Sequence, residues 1–229
     1  MTTELGAESG GPSPNRSGVV GLVLAAGSGS RLGRPKALVT GRGGITWLAR
    51  AVQVLGEGGC LPVYVVIGAA SDEVRAVVPE HVSLVVAEDW QEGMGASLRC
   101  GLGAIAACER RADAVVVMLV DTPEVTPHVV HRLVSQGDGA SAQQGAGTGL
   151  GSALGRSTYQ GEAGHPVLIG REHWAGVIQS AHGDHGARDY LKARPVHLVE
   201  CGDIGSGADI DTPQGLSDWR AGASGHLPR

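Results

Sequence analysis

Residues 24–38, LAAGSGSRLGRPKAL, place Gly27, Gly29 and Gly33 with Arg31 and Lys36 directly behind an apolar run. That mixture is suited to anion binding. Glycine tolerates positive φ and lets backbone approach a ligand closely, so a turn built here can aim N–H groups at a phosphate. Arg31 and Lys36, five residues apart, could neutralise a triphosphate, although taken alone each also fits an ordinary surface cation. Two standard phosphate loops are excluded. A dinucleotide fingerprint needs a third glycine where Leu32 stands, and Gly33 comes one place late. A Walker A loop ends in G-K-[ST], whereas Lys36 follows Pro35 and precedes Ala37. The histidines His173, His182 and His185, with Asp184, match no zinc spacing. G-x-S-x-G survives only as the fragment Gly27-Ser28-Gly29, so no hydrolase arrangement is present.

The elements that must hold this loop are short and apolar. VVGLVLAA (19–26), LPVYVVIG (61–68), VSLVVA (82–87), AVVVMLV (114–120), HPVLIG (165–170) and VHLVE (196–200) are continuous rather than alternating runs, which predicts strands buried on both faces. Between them, segments near 45–56, 72–78, 95–111, 126–136, 171–181 and 186–193 carry helical spacing, as in Leu98, Leu102, Ile105 and Ala106. The alternation predicts an α/β protein: one three-layer α/β/α, Rossmann-like domain over 19–220 with a mostly parallel sheet. In such sheets ligands sit beyond the carboxyl ends of the strands. Asp121, immediately after 114–120, is so placed, and could equally be an Asx-turn residue. Gly93, Gly95 and Ser97 stand where a strand gives way to a long helix, whose N-terminus could bind base, ribose or phosphate; Ser97 also fits an N-cap. The Gly/Ser/Gln stretch 137–155 reads as a loop before a strand that resumes near Ser157. Residues 1–18 and 221–229 read as disordered tails.

Composition removes several classes. With 18 Lys plus Arg against 23 Asp plus Glu, the net charge is −5, giving no electrostatic footprint for nucleic acid. Glycine is abundant, 38 of 229 residues, but has no collagen period. No apolar run approaches the roughly 20 residues that span a bilayer, so no membrane partner is expected. Cys60, Cys100, Cys108 and Cys201 fall in no paired pattern and read as reduced thiols of a cytoplasmic protein.

The segment 24–36 resembles the signature of the MobA-like NTP transferase superfamily. Its LAAG opening, Leu24-Ala25-Ala26-Gly27, is most similar to the molybdenum cofactor cytidylyltransferase branch, whereas the guanylyltransferase branch opens LAGG. Four later stretches extend the resemblance in family order over residues 19–217: DWQEGMGASLRCGL (89–102), VDTPEVTP (120–127), GHPVLI with GDHGARDYL (164–169, 183–191) and DIDTPQGL (209–216). Where the family often has Asn, Ala87-Glu88 stands instead.

The resemblance implies Mg²⁺-dependent transfer of CMP from CTP to a molybdopterin-type phosphorylated acceptor, with release of pyrophosphate. It implies nucleotide contacts from Leu24 to Gly27, Gly29, Arg31, Lys36, Gly93, Gly95 and Ser97, with Arg31, Lys36 and Asp121 catalytic. Metal ligation falls to Asp121 with Asp209 or Asp211, which at i and i+2 face one way if extended. The resemblance favours Asp209. Asp211 also fits a helix cap before 214–219. His165, Asp184 and Arg188 fall on the acceptor side, each with a structural alternative: a packed histidine, a cap, and the cap's solvated partner. A molybdoenzyme or its maturation chaperone would receive the product. GTP or another phospho-acceptor, a non-catalytic nucleotide-binding relative, and a Rossmann oxidoreductase stay open as competitors.

Overall fold

The computed structural model describes residues 18–143 and 149–222. Seven strands form one sheet: β1 (Val19–Leu24), β2 (Val63–Ile67), β3 (Ser83–Val86), β4 (Ala114–Leu119), β5 (Leu154–Tyr159), β6 (Glu162–Gly170) and β7 (His197–Glu200), in the order β3-β2-β1-β4-β6-β5-β7. All pairings are parallel except those of β6, which runs antiparallel to both β4 and β5. Every residue of β1 is buried, as a strand covered on both faces must be. Its side chains alternate between two cores. Val19 and Val23 join the first, packed by α1 (Trp47–Glu57), α4 (Pro127–Gln143) and α7 (Pro213–Ala221). Val20, Leu22 and Leu24 join the second, covered by α3 (Met94–Cys108), α5 (Arg171–Ser180) and α6 (Arg188–Lys192). A short α2 (Ser71–Arg75) follows β2. The result is the expected mostly parallel α/β architecture.

Close approach of α3 to the sheet depends on Gly101, where a Cβ would lie 2.8 Å from the Leu22 side chain. Trp47 and Trp219 meet edge to face in the first core, with ring centroids 5.7 Å apart.

Three expectations change. The stretch 137–155 is not simply a loop: α4 continues to Gln143, a 3-10 turn covers Leu150–Ser152, and β5 begins at Leu154. Once Val129, Val130 and Leu133 anchor α4 in the core, propagation through Ala140 and Ala142 requires no new nucleus. At the C-terminus, α7 takes in Ala221 and ends on Gly222, whose left-handed φ of 78° closes the helix. The proposed tails 1–17 and 223–229 lie outside the described residues. The third change is the direction of β6, which brings its first residues, not its last, to the edge where β1, β2 and β4 end.

The four cysteines are unpaired, and burial pushes the Cys60 thiol up to about 12. Among the described residues no helix is long and apolar enough to cross a membrane.

Candidate active site

Beyond β1 the chain stays tied to its neighbour: Ala25 N–H donates to Val66 O at 2.9 Å, and Ala69 N–H to Ala26 O at 2.9 Å. It then turns. Leu32 N–H closes onto Gly29 O at 2.9 Å, and Gly29 adopts φ +63°. A Cβ at Gly29 would stand 1.9 Å from Arg34 O, so only glycine fits. At Gly27 a Cβ would meet nothing within 4 Å, which leaves that backbone open. The loop forms one wall of a cavity of about 380 Å³ lined by every residue from Leu24 to Arg31 and by Lys36. The opposite walls are Trp90, Gln91, Gly93, Met94 and Ser97 around the start of α3, Leu119 to Asp121 after β4, Asp184 and Asp211.

The charges converge at one end. Lys36 Nζ donates to Asp121 Oδ2 at 2.6 Å and also to Asp211 Oδ1, while Arg31 Nη1 reaches Asp211 Oδ2 at 3.2 Å. Burial works against the Lys36 ammonium, but the charges and hydrogen bonds of Asp121 and Asp211 outweigh it and raise its pKa. The hydrogen bond from Lys36, with the Lys36 and Arg31 charges, holds the Asp211 carboxyl below its ordinary value against the opposing effect of burial.

The two carboxylates meet because of a backbone link: Ile210 N–H donates to Asp121 O at 3.1 Å, and the Ile210 side chain is buried. Asp211 then enters the cavity, whereas Asp209 is exposed and lines none of it. Of the two, the structure brings Asp211 and not Asp209 into the cavity beside Asp121. The cap alternative for Asp211 also falls, because Thr212 is the N-cap of α7 and its hydroxyl accepts from Gly215 N–H at 3.1 Å.

Around α3, Gly93 is the N-cap, with φ 117°, and lines the cavity. Ser97 lies inside the helix and is buried at the cavity wall, so it is not the cap. Gly95 lies outside the lining; a Cβ there would stand 2.8 Å from the His182 backbone, so it serves the packing of α3 on segment 181–184. Asp184 sits in a 3-10 turn, Gly183–His185, against Gly93, and does not cap α6, whose N-cap is Ala187.

His165 and Arg188 do not line this cavity. His165 is partly buried, and burial, reinforced by Arg156 and Arg188, pushes its imidazole down to about 4. The lining residues that sequence reasoning missed are Ser28, Ser30, Trp90, Gln91, Met94, Leu119 and Val120. All seven lie within or beside the segments that carry the candidate glycines and charges, Leu119 and Val120 directly before Asp121.

A divalent cation suits this donor set. Asp121 Oδ1 is buried and has no hydrogen-bond partner among the described residues. The ammonium of Lys36 already lies between two carboxylates, as a bridging cation would. Two cationic side chains, Arg31 and Lys36, face three carboxylates, Asp121, Asp184 and Asp211, so the lining alone does not neutralise a triphosphate. Among the described residues no group of three or more His, Cys, Asp or Glu could hold a metal. One or two carboxylates, with phosphate oxygens and water, are the usual Mg²⁺ complement.

The chain is 36% identical over 200 residues, 85% of its length and 92% of the relative's, to a protein of Paenarthrobacter nicotinovorans named nicotine blue oxidoreductase. It is 35% identical over 117 residues, 51% of its length and 56% of the relative's, to a probable molybdenum cofactor guanylyltransferase of Mycobacterium avium strain 104. Its fold matches the crystal structure of the Mycobacterium tuberculosis Rv0371c homologue from Mycobacterium sp. strain JC1 at TM-score 0.74 and 27% identity, covering 90% of this chain and 97% of that one. Rv0371c itself, solved in complex with manganese, matches at TM-score 0.67 and 25% identity over 89% of this chain and 98% of that one. Residues 21–198 match the MobA-like NTP transferase domain. With the Gly-rich loop, the carboxylate pair and the sheet in family order, the chain belongs to the MobA-like NTP transferase family.

Proposed function

We propose that this protein transfers CMP from CTP to the terminal phosphate of molybdopterin. The observation that carries the reading is the meeting of Lys36, Arg31, Asp121 and Asp211 under the Gly-rich loop in one cavity. About 380 Å³ lies within the usual range for small-ligand sites. The loop from Ala25 to Arg31 cradles the triphosphate, with the base toward Trp90 and Gln91. An oxygen of the acceptor phosphate attacks the α-phosphorus in line; the bond to the bridging oxygen breaks and pyrophosphate leaves. A phosphate monoester is already anionic at neutral pH, so no general base is required.

Arg31 and Lys36 neutralise the charge that develops on the leaving pyrophosphate. Lys36, now paired with both carboxylates, can instead meet phosphate oxygens, and Asp121 and Asp211 are the residues that would hold Mg²⁺. A divalent cation held there would supply further neutralisation of the phosphate charge. Ala26, in the cytidylyltransferase-like LAAG opening, supports CTP over GTP. The product would pass to a molybdoenzyme or its maturation chaperone, and the unpaired thiols accord with a cytoplasmic setting.

Two other readings each have one supporting observation. The Mycobacterium avium relative supports GTP. The Paenarthrobacter relative supports a redox activity on a dye-like substrate. The deciding experiment measures pyrophosphate release from CTP, GTP, ATP and UTP, with Mg²⁺ and with or without molybdopterin, beside an assay for oxidation of NADH or NADPH by a quinonoid dye. Acceptor-dependent release confined to CTP is expected. Release confined to GTP would transfer the reading to guanylylation. Nicotinamide oxidation without pyrophosphate release would overturn it. Asp121→Ala is expected to lose at least about 100-fold in turnover with an unchanged circular dichroism spectrum.

A further inference from the structure

The carboxyl edge of the sheet carries a second group of cations that the cavity does not use. Leu154 of β5 faces the second core, and two residues on, Arg156 projects to the same face. Val167 and Ile169 of β6 face that core too, which puts His165 on that side. The face is covered by α6, whose Tyr190 and Leu191 pack into it and whose first residue is Arg188. Three cationic or ionisable residues thus come together from β5, β6 and α6.

Arg156 starts level with Val167, itself level with Val117, below the edge of the sheet. Its guanidinium reaches up the sheet: Nε donates to Gly164 O at 3.0 Å and Nη2 to Ala163 O at 3.4 Å. The Arg156 and Arg188 charges act on each other and on His165. No carboxylate lies within ion-pair distance of any of the three among the described residues. Asp189 offsets Arg188 alone, so the half-buried Arg156, held by two carbonyls beside a like charge, is stabilised by an anion that completes the group.

The position relative to the cavity gives this anion a role. Extending the β4–β6 register two residues past Val117 and Val167 brings His165 level with Leu119, a cavity residue. Across the sheet edge the order is then Arg31 and Lys36 after β1, Asp121 after β4, and the second group on β6 and β5. Cations flank the carboxylate on both sides. An in-line displacement needs this division, with the leaving pyrophosphate on one side of the α-phosphate and the attacking phosphate on the other.

We propose that Arg156, a residue to which the family resemblance gave no role, joins Arg188 and His165 in seating a phosphate monoester, the attacking group of the acceptor. The seat rests on the transferase reading for its role but not for its chemistry. Arg156 contributes a guanidinium edge pre-positioned by Gly164 and Ala163. Arg188, exposed and on another element, closes over the remaining oxygens.

The test uses phenyl phosphate as the monoester probe and CTP as the nucleotide, each titrated calorimetrically into the full-length protein. The variants are Arg156→Gln, Arg156→Lys, Arg188→Gln and Arg31→Gln. Arg156→Gln and Arg188→Gln are expected to weaken phenyl phosphate binding about tenfold or more while changing CTP affinity less than about twofold. Arg31→Gln is expected to give the reverse pattern, and Arg156→Lys an intermediate one, since lysine keeps the charge without the fork. If Arg156→Gln disturbs the β5–β6 pairing and fails to fold, Arg156→Lys and the exposed Arg188→Gln carry the test. Wild-type phenyl phosphate affinity in the Arg156 variants, absence of binding to the wild-type protein, or equal loss of both ligands would overturn the seat. Survival of the crossed pattern in a protein that releases no pyrophosphate would keep the seat and remove the transferase reading.

Discussion

Asp209 and Asp211 differ by two positions in an extended stretch, a spacing that by itself points both carboxylates the same way. The backbone decides otherwise. Ile210 is pinned to Asp121 O and buried, Asp211 is drawn to Lys36 and Arg31, and Asp209 is left in solvent. Asp211→Asn is expected to lower turnover about 10- to 100-fold, through loss of the carboxylate charge that faces Lys36 and Arg31. Asp209→Asn is expected to stay within about twofold of the parent protein in the same steady-state assay. Equal losses in both would mean that the segment rearranges on nucleotide binding. At this scale Lys36 and Asp121 were legible, one from the Gly-rich turn and the other from its place after a buried strand. Arg156 was not, because nothing near it in sequence marks it: its hydrogen bonds go to the carbonyls of Gly164 and Ala163 on the next strand, and the guanidinium that acts on its charge is 32 residues away.

At the scale of elements, the Gly-rich turn works through one sterically determined position. Gly29 needs both positive φ and the absence of a Cβ, which would otherwise press on Arg34 O at 1.9 Å. Gly29→Ala should force the turn open and move Arg31 and Lys36. We expect a loss of stability of about 1–3 kcal/mol and a CTP affinity lowered at least about tenfold. Calorimetric titration and thermal melts check both; an unchanged affinity in a folded variant would remove the turn from nucleotide binding. The helices were legible from apolar spacing because their cores are amphipathic in the ordinary way. The extent of α4 was not, since Gly137 and Gly139 resemble loop residues until the helix has been anchored by Val129, Val130 and Leu133.

Across the whole molecule, the buried or bonded groups make folding sensitive to acid. His165 is held down to about 4, below its ordinary value near 6.5, by burial and by Arg156 and Arg188. The unfolded chain therefore binds this proton first as pH falls, so the native state loses stability between about pH 6.5 and pH 4. The loss reaches up to about 2 kcal/mol at pH 5 relative to pH 7.5. Glu200, which accepts from Gly202 N–H, the Thr158 hydroxyl, and Gln160 and Gly161 N–H, is held down to about 2 and acts in the same direction at lower pH. Urea midpoints at pH 7.5 and pH 5 should show this decline, and His165→Gln should flatten it. A slope unchanged in His165→Gln would place the titrating group elsewhere.

The amino-acid sequence by itself determined the class of this protein: buried β-branched runs alternating with amphipathic segments leave few folds open, and glycines with cations after the first strand specify a tight turn suited to an anion. These signals are local, set by neighbours along the chain. The tertiary structure decided what depends on neighbours in space. It brought Asp211, not Asp209, to the cavity through the hydrogen bond of Ile210 N–H to Asp121 O, and gave the cap of α7 to Thr212. It also turned β6 antiparallel, so that His165 and Arg156 reach the edge where Asp121 stands. Strand direction and side-chain convergence follow from how layers pack, and no short stretch of sequence encodes them.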